Sequence, residues 1–313
     1  RARIVTAFGW PQPGATGTSA TPAHDAEVVL VMGIPGAGKS RHTEDYVARG
    51  YIRLNRDDRG GSLRELNDAL GEALSSGVSR IVLDNTYLTR VTRSHVIQTA
   101  TRHGASVQCI WIGIPLAQAQ VNLVERLLGR FGRLPEPEEV RRIGRREPGI
   151  MLPTNQMRTL RELEPPTIDE GFVAVQRIQF QRTPAASLSI ATEPPEAVFV
   201  AAAVLNAQGW ERTVAAIAPE ASHLLFEWRP GETADILDAG VDGISAHVRG
   251  SVAAALCPHP GGPPVCWCRP PLPGLILAFA RAHGINPSRS TLVGASTAHR
   301  TLATTLGASY LQV

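Results

Sequence analysis

Residues 27–40 read EVVLVMGIPGAGKS, and this stretch decides the fold of the first part of the chain. The apolar run from Glu27 to Met32 is typical of a strand buried on both faces of a parallel sheet. The residues that follow match the phosphate-loop (P-loop) pattern in full: Gly33, Ile34, Pro35, Gly36, Ala37, Gly38, Lys39 and Ser40. Because the loop lies between a strand and a helix-compatible stretch, its backbone N–H groups are predicted to surround a phosphate.

This loop predicts ATP and Mg²⁺ as ligands. Gly33, Gly36, Ala37 and Gly38 are expected to form the backbone cradle, with Lys39 on the β- and γ-phosphates and Ser40 on Mg²⁺. A Gly-rich turn that binds nothing is the alternative, and the complete motif disfavours it. Lys39 is also the only lysine among 31 basic residues, which indicates a position that needs a compact ammonium group.

Length and composition predict two domains in a protein outside the membrane. A chain of 313 residues with 43% hydrophobic residues can bury two cores of roughly 150 residues each. No stretch approaches the ~20 apolar residues of a membrane helix, so we expect a cytoplasmic protein without a membrane partner.

Three of the four cysteines lie between residues 257 and 268, which favours a local metal site over disulfides.

The alternation of strands and helices predicts a doubly wound α/β architecture in both halves. We expect a flexible segment at 1–24, a P-loop domain at 25–185, a linker at 186–195 and a second α/β domain at 196–313. The predicted strands are Glu27–Met32, Arg80–Leu83, Val107–Ile114, Val173–Phe180, Ala197–Leu205, Leu224–Glu227, Gly243–His247 and Thr291–Val293. The predicted helices are Leu63–Ser75, Val91–His103 and Leu275–His283.

Two polar runs are predicted to meet the P-loop at the mouth of the first sheet. Leu54-Asn55-Arg56-Asp57-Asp58 lies where a second strand would end, and one carboxylate there suits a general base on an acceptor hydroxyl. An ordinary polar turn is the alternative.

The strand Ile81-Val82-Leu83 ends in Asp84-Asn85-Thr86, where an acidic residue suits Mg²⁺ or its water shell. A helix N-cap at Asn85 or Thr89 is compatible with that role.

An arginine-rich segment follows at residues 126–146. Arg126 and Arg130 are four residues apart and share a helical face, so they can close over ATP as a lid. The remaining arginines are at positions 133, 141, 142, 145 and 146. For Arg141 to Arg146, a solvated helix face and a nucleic-acid contact both stay open.

These motifs together resemble the kinase module of 5′-hydroxyl polynucleotide kinases, over roughly residues 27–182. The resemblance implies that Asp57 is the general base and that Arg126 and Arg130 contact the ATP phosphates. It also implies an acceptor site whose residues are Arg56, Asp58, Arg59 and Thr86. The family commonly continues Asp-Asp-x-Arg, whereas Arg59 follows Asp58 directly here, so the acceptor-phosphate arginine is either shifted or lost.

A zinc loop is predicted at residues 257–274. Cys257, His259, Cys266 and Cys268 have the spacing of a closed tetrahedral Zn²⁺ site, and the metal would supply order to a loop without its own core. With the following Arg269–Gly274 and with Leu292-Val293-Gly294, this loop resembles the zinc-bearing haloacid-dehalogenase-like phosphatases, from about Ala197 onward.

The chemistry of that second superfamily is missing. Its nucleophilic Asp pair falls on Ala201-Ala202-Ala203, its lysine on Pro270, and its distal acidic pair on Ala295 and His299. We therefore expect a pseudo-phosphatase domain.

Three functions follow from this sequence. The leading one is an ATP-dependent kinase for 5′-hydroxyl ends of RNA or DNA in nucleic-acid repair. A small-molecule kinase acting on a nucleoside, sugar or antibiotic is favoured by the displaced Arg59 and disfavoured by the arginine-rich segment. An ATP-gated scaffold that recruits an RNA-repair partner is the third, and the presence of Asp57, Asp84 and the lid arginines argues against it.

Overall fold

Two parallel sheets of five strands each form the frame of the computed structural model, which describes residues 26–147, 149–179 and 196–313. The predicted flexible segment 1–24, the linker 186–195, Phe180 and the side chain of Asp57 lie outside the described residues. Among the described helices, none has the length and apolar character needed to span a bilayer.

The first sheet places its phosphate loop at the centre. Its strands are β1 (Glu27–Met32), β2 (Ile52–Asn55), β3 (Arg80–Asp84), β4 (Ser106–Gly113) and β5 (Ala174–Gln179). All pairs are parallel in the order β2-β3-β1-β4-β5. The side chains of β1 from Val28 to Met32 are fully buried, because helices cover both faces of the sheet. The strands predicted for this half are confirmed.

Seven helices accompany the first sheet within the described part of the chain. They are α1 (Lys39–Ala48), α2 (Arg56–Arg59), α3 (Leu63–Ser75), α4 (Arg90–Arg102), α5 (Leu116–Phe131), α6 (Pro137–Gly144) and α7 (Pro153–Glu162). Ser62 and Glu65 form a capping box that starts α3, and the Thr89 hydroxyl accepts the N–H of Thr92 at the start of α4. The N-cap of α4 is therefore Thr89.

The second sheet has the strand order β10-β9-β6-β7-β8, again all parallel. Its strands are β6 (Ala197–Ala201), β7 (Ser222–Trp228), β8 (Val252–Cys257), β9 (Thr291–Gly294) and β10 (Ser309–Gln312). Its helices are α8 (Trp210–Ala215), α9 (Asp238–Ser245), α10 (Gly274–His283) and α11 (Thr297–Leu306). Read from the other edge this order is 3-2-1-4-5, a doubly wound arrangement whose switch point lies between β6 and β9.

Two predictions for this half are wrong. Residues 243–247, predicted as a strand, belong mostly to α9, because Leu237, Val241 and Ile244 follow helical spacing and pack on the core. The strand predicted over residues 197–205 ends at Ala201 and continues as a 3₁₀-helix. The third strand is instead β8, whose run of alanines carries little β-propensity.

Helix α5 joins the cores of the two sheets. Its buried residues Val121, Leu123, Val124, Leu127 and Leu128 belong to the same apolar cluster as the strands β6, β7 and β9. Ala119, two residues before Val121, packs instead with the strands of the first sheet. The helix contacts both α10 and α11. The helix that carries Arg126 and Arg130 is therefore packed against both halves of the chain.

Candidate active site

The phosphate loop connects the end of β1 to the start of α1 and depends on its glycines. Gly36 and Gly38 have φ values of 84° and 89°, in the left-handed region that disfavours other residues. A Cβ at Gly36 would lie 2.4 Å from the carbonyl oxygen of Ala119. The conformation therefore requires glycine here for both the backbone angle and the space.

Lys39 and Ser40, the first two residues of α1, lie at the phosphate end of the loop. The Lys39 ammonium donates hydrogen bonds to the carbonyl oxygens of Gly33, at 3.0 Å, and of Ile34, at 3.2 Å. The Ser40 side chain is exposed at the same helix N-terminus. The predicted phosphate cradle is thus assembled from the predicted residues, with the helix dipole directed at it.

Two amide side chains from distant helices support the loop. Asn122 Nδ2 on α5 donates to the carbonyl oxygen of Gly36 at 2.8 Å. Gln156 Nε2 on α7 donates to the carbonyl oxygen of Pro35 at 3.0 Å, and Gln156 is fully buried. Neither residue is predicted from the sequence, because neither lies in a local motif and only the packing of α5 and α7 brings them to the loop.

Asp84 ends β3 beside the loop and is 2% exposed. In the strand register it faces Val31 of β1 and Asn55 of β2, so it lies at the mouth of the sheet as predicted. Its Oδ2 accepts hydrogen bonds from Arg53 Nη2 at 2.6 Å and Arg53 Nε at 3.2 Å. A carboxylate and a serine hydroxyl are oxygen ligands of the kind that Mg²⁺ prefers.

Arg53, which the sequence does not single out, connects the two acidic runs. Its Nη1 lies 3.2 Å from Asp58 Oδ2, while its other nitrogens bind Asp84. The Asn55 side chain accepts the N–H of Asp58 at 3.3 Å. Arg56 and Arg59 lie with Asp58 on the short helix α2 at the end of β2. Asp57 lies in the same helix, and its proposed role rests on the sequence.

The segment after Asp84 has an unusual backbone. Thr86 N–H donates to Asn85 Oδ1 at 3.0 Å, and Asn85 Nδ2 is buried without a partner among the described residues. Tyr87 has a φ of 44°, which is a strained value for an aromatic residue. The pKa of Tyr87 is raised, mainly by burial and to a smaller extent by the negative charge of Asp84. Such strain next to a cluster of polar groups is typical of functional segments.

Arg126 and Arg130 lie on the face of α5 that begins with Asn122, at intervals of four residues. Because a helix rises 1.5 Å per residue, they lie about 6 Å and 12 Å along the axis from the residue that holds the P-loop. Arg130 Nη2 pairs with Glu147 Oε1 at 2.7 Å, and Arg126 Nη1 donates to the carbonyl oxygen of Gly149 at 3.4 Å. Both therefore bind the segment after α6.

The remaining arginines of this segment form ion pairs or line cavities, and Arg141 does both. Arg133 pairs with Glu139 at 2.8 Å, and Arg141 pairs with Glu138. A cavity of about 600 Å³ between α6 and α7 is lined in part by Arg141, Arg145 and Arg158. A second cavity, of about 540 Å³, is lined by Arg142, Ile143, Arg145, Arg146 and Glu147. The segment therefore offers positive charge at a concave surface.

At the switch point of the second sheet, no acidic side chain is present at the strand ends. Ala201 ends β6, Ala202 and Ala203 follow it, and Ala295 follows β9. His299 Nδ1 accepts the N–H of Ala295 at 3.2 Å, and burial lowers the pKa of His299, so this imidazole is neutral at pH 7. The carboxyl ends of β6 and β9 therefore offer no carboxylate for nucleophilic attack or Mg²⁺ binding.

Cys257, His259, Cys266 and Cys268 converge as predicted, with one donor atom of each within 4.8 Å of all the others. Cys257 Sγ lies 3.6 Å from Cys266 Sγ and 3.2 Å from Cys268 Sγ, and His259 Nδ1 lies 3.2 Å from Cys268 Sγ. Tetrahedral Zn–S bonds of ~2.3 Å place sulfurs about 3.8 Å apart, so the donor set and its spacing fit Zn²⁺.

The cysteine thiols of the chain differ in pKa. Hydrogen bonds among the three clustered thiols lower the pKa of Cys266 far below its usual range and raise the pKa of Cys257 and Cys268, so one of the three is favoured as a thiolate. Cys109 is buried in β4 instead, and burial raises its pKa to about 12. Cys109 is therefore a core residue with no part in the metal cluster.

Comparison with known proteins places the first half of the chain among P-loop domains. Residues 28–146 match a family model described as an AAA domain, a range that contains the P-loop, Asp84, Arg126 and Arg130. The parallel sheet and the loop therefore form a P-loop domain similar to that family.

Solved structures that resemble the chain include three whose descriptions name a kinase or a bound nucleotide. A gluconokinase from Sinorhizobium meliloti is 19% identical over 51% of this chain and 85% of its own, with a TM-score of 0.34. Kti12 from Chaetomium thermophilum, in complex with ADP-AlF3, is 15% identical over 49% and 89%, with a TM-score of 0.37. The APS kinase CysC of Mycobacterium tuberculosis is 15% identical over 33% and 69%, with a TM-score of 0.26. Because all three TM-scores are below 0.5, these similarities do not support the assignment of a function. That assignment depends on the residues of the site.

Proposed function

We propose that this chain is an ATP- and Mg²⁺-dependent kinase that transfers the γ-phosphoryl group to a 5′-hydroxyl end of RNA or DNA. The observation that carries the proposal is the complete P-loop next to the buried carboxylate of Asp84 at one edge of the sheet. Arg126 and Arg130 follow the loop-binding Asn122 along a single helix face, which supports their role as lid residues.

The proposed reaction needs one bond formed and one broken. The acceptor 5′-oxygen attacks the γ-phosphorus, the bond between that phosphorus and the β,γ-bridging oxygen breaks, and ADP leaves. The hydroxyl proton passes to Asp57, the proposed general base. Lys39, Arg126 and Arg130 stabilise the negative charge on the transferring phosphoryl group. Ser40 and Asp84 would hold Mg²⁺, which when bound neutralises phosphate charge.

Residues around α2 are proposed to bind the acceptor strand. Arg56, Asp58 and Arg59 lie on that helix at the end of β2, and Thr86 follows Asp84 on the neighbouring strand. Arg53 is paired with both Asp84 and Asp58, so it keeps the two carboxylates in place. The cavities lined by arginines on α6 and α7 supply charge that suits a polyanion.

A small-molecule kinase is the second candidate, and a specific cavity favours it. A cavity of about 640 Å³ between α3 and α4 is lined by polar and ring side chains that include Ser62, Asn67, Tyr87 and His95. This volume is within the range of small-ligand sites. A nucleoside, sugar or antibiotic hydroxyl could therefore be the acceptor.

For the second half we propose a haloacid-dehalogenase-like pseudo-phosphatase. The strand order 3-2-1-4-5 and the zinc loop support the resemblance, and the alanines after β6 support the loss of activity.

An ATP-gated scaffold for an RNA-repair partner would use this half as its docking module. Release of phosphate from 3′-phosphate ends by a Lys39→Ala protein would contradict the inactive assignment.

The acceptor is tested by competition. The protein is incubated with γ-labelled ATP, Mg²⁺ and a 5′-hydroxyl oligonucleotide, and unlabelled nucleosides, sugars or a 5′-phosphorylated oligonucleotide are added. We expect the label in the oligonucleotide, with little competition from the small molecules. A folded, ATP-binding protein that labels a nucleoside or sugar and leaves every oligonucleotide unlabelled would favour the second candidate.

A further inference from the structure

The metal cluster of the second half lies against the first half of the chain, through His259. One nitrogen of this ring, Nδ1, lies 3.2 Å from Cys268 Sγ, whereas the other, Nε2, lies 3.0 Å from Glu136 Oε2. Glu136 is the residue that precedes α6, in the arginine-rich segment. The imidazole therefore bridges the four-ligand cluster and the start of α6.

Two further contacts hold the same region on the zinc loop. Leu134 packs against the buried cysteines. It also lies close to Gly274 at the end of the zinc loop, since a Cβ at that glycine would be 2.9 Å from Leu134 Cδ1. After α6, the Trp267 indole N–H donates to the carbonyl oxygen of Met151 at 2.8 Å. The zinc loop thus contacts the chain on both sides of α6.

Helix α6 carries charge and is linked to the phosphate loop through its neighbour. Arg141, Arg145 and Arg158 line the cavity between α6 and α7. On α7, the buried Gln156 donates to the P-loop carbonyl of Pro35. The zinc loop therefore contacts the start of α6. The end of α6 lies against the segment that leads into α7, since a Cβ on Gly144 would be 2.4 Å from the carbonyl oxygen of Ile150, and α7 contacts the phosphate loop.

Metal binding also fixes which nitrogen of His259 carries the proton. A metal at Nδ1 takes the lone pair of that nitrogen, so the proton of the neutral ring is at Nε2 and is donated to the Glu136 carboxylate. A carboxylate in this position orients the ring and makes it a better metal ligand. Of the zinc loop, Trp267 and Leu272 are buried in the core, and we expect a metal to order the rest of the loop.

We propose that a Zn²⁺ ion bound by Cys257, His259, Cys266 and Cys268 orders helix α6 and the arginines at its C-terminal end, and that Glu136 is the residue that transmits this order. Glu136 is a positioning residue: it acts on the ion through His259 and on α6 through the backbone that follows it. Metal occupancy in the second half thus sets the arrangement of the arginines that line the cavities at α6.

Limited trypsin digestion tests the proposal directly, because trypsin cleaves after arginine and the 133–146 segment contains five. We expect removal of Zn²⁺ with a chelator to increase the cleavage rate at these sites about 10-fold or more, and added Zn²⁺ to restore protection. Cleavage after Arg102 of α4 should not change. Equal cleavage rates in this segment with and without Zn²⁺ would overturn the proposal.

Single substitutions distinguish an effect of Glu136 from unfolding of the second half. Glu136→Ala is compared with Glu138→Ala, a matched change two residues later that does not affect a group bonded to His259. Zn²⁺ affinity is measured by competition with a chelating dye, and Co²⁺ absorbance reports the geometry of the ligands.

We expect Glu136→Ala to weaken Zn²⁺ binding about 10-fold and to increase tryptic cleavage of the segment even at saturating Zn²⁺. Glu136→Gln keeps an acceptor for the Nε2 proton and should restore most of both properties, whereas Glu138→Ala should match the unaltered protein. If Glu136→Ala and Glu138→Ala behave alike in both measurements, the proposal is wrong. Neither measurement uses ATP or nucleic acid, so its outcome is independent of the proposed kinase reaction.

Discussion

Arg93 is a fully buried charged residue with a partner for each nitrogen of its guanidinium group. Its Nε and Nη2 bind the two oxygens of Glu170, each at 2.7 Å, in a bidentate pair. Its Nη1 donates to the carbonyl oxygens of Tyr87, Leu88 and Glu164. The pair therefore holds the strained segment after Asp84 against the loop that leads to β5.

Replacing Arg93 with methionine should destabilise the protein strongly. The buried carboxylate of Glu170, whose side chain is 2% exposed, would lose its counter-ion, and breaking a buried pair in this way costs about 3–5 kcal/mol. Chemical denaturation measures the change. The matched control is Arg90→Met, which breaks an exposed pair with Asp169 and should change stability little. Similar losses of stability in the two variants would contradict this account of Arg93.

The buried His223 and the half-buried His299 make the stability of the second half depend on pH. Burial lowers the pKa of both His223 and His299 in the folded protein, whereas the unfolded chain has ordinary values of about 6.5. The unfolded state therefore binds more protons below about pH 6.5, so the unfolding free energy should decrease as the pH falls from there toward the lowered native pKa values.

Urea unfolding at several pH values measures this dependence. His223→Asn keeps a donor for the carbonyl of Ala221, which His223 Nδ1 contacts at 2.8 Å, and removes one titrating group. The stability of this variant should depend less on pH than that of the unaltered protein. The control His283→Asn changes an exposed ring and should leave the dependence as it was. A dependence equally steep in His223→Asn would contradict the assignment.

At the scale of elements, α5 carries the proposed lid residues Arg126 and Arg130 on one face, and its buried residues join the two cores. Leu127 is 2% exposed within the cluster that includes the second sheet. We expect Leu127→Ala to cost about 2–5 kcal/mol, because it leaves a cavity in that core. The matched control is Leu160→Ala at an exposed position of α7. A change of less than about 0.5 kcal/mol for Leu127→Ala, as expected at the surface, would contradict the described packing.

The cavity between α6 and α7 predicts a measurable electrostatic interaction with a nucleic-acid strand. Replacing both Arg145 and Arg158 with alanine should weaken binding of a single-stranded oligonucleotide. The slope of log K against log salt should become shallower by about 0.7 for each phosphate that these arginines neutralise. Fluorescence anisotropy at several salt concentrations measures both quantities. Arg281→Ala on α10 is the control, and an unchanged slope in the double variant would exclude this cavity from the strand path.

Elements that have a strong pattern or motif are predictable from the sequence, and elements that lack one are not. The helix at 63–75 has a capping box and apolar periodicity, and its predicted limits are confirmed. Strand β8 has alanine at three of its six positions, so nothing local marks it as a strand, and its place beside β7 depends on tertiary pairing.

At the scale of the whole molecule, the site is predictable where its residues are close together in the sequence. The P-loop and the four metal ligands each occupy a short stretch, so their residue types and spacing are sufficient to locate them. Arg53, Asn122, Gln156 and Glu136 reach their partners only when distant elements pack together, and no local signal in the sequence identifies them.

The central claim concerns the P-loop that contains the only lysine of the chain, and phosphoryl transfer tests it most directly. The unaltered protein and Lys39→Ala, both shown to be folded, are incubated with γ-labelled ATP, Mg²⁺ and an oligonucleotide with a single 5′-hydroxyl end. We predict labelling of that end by the unaltered protein, sensitive to a phosphatase, and at least a 100-fold lower rate for the variant, roughly 3 kcal/mol in transition-state free energy. A folded, ATP-binding protein that leaves both RNA and DNA strands unlabelled would contradict the claim.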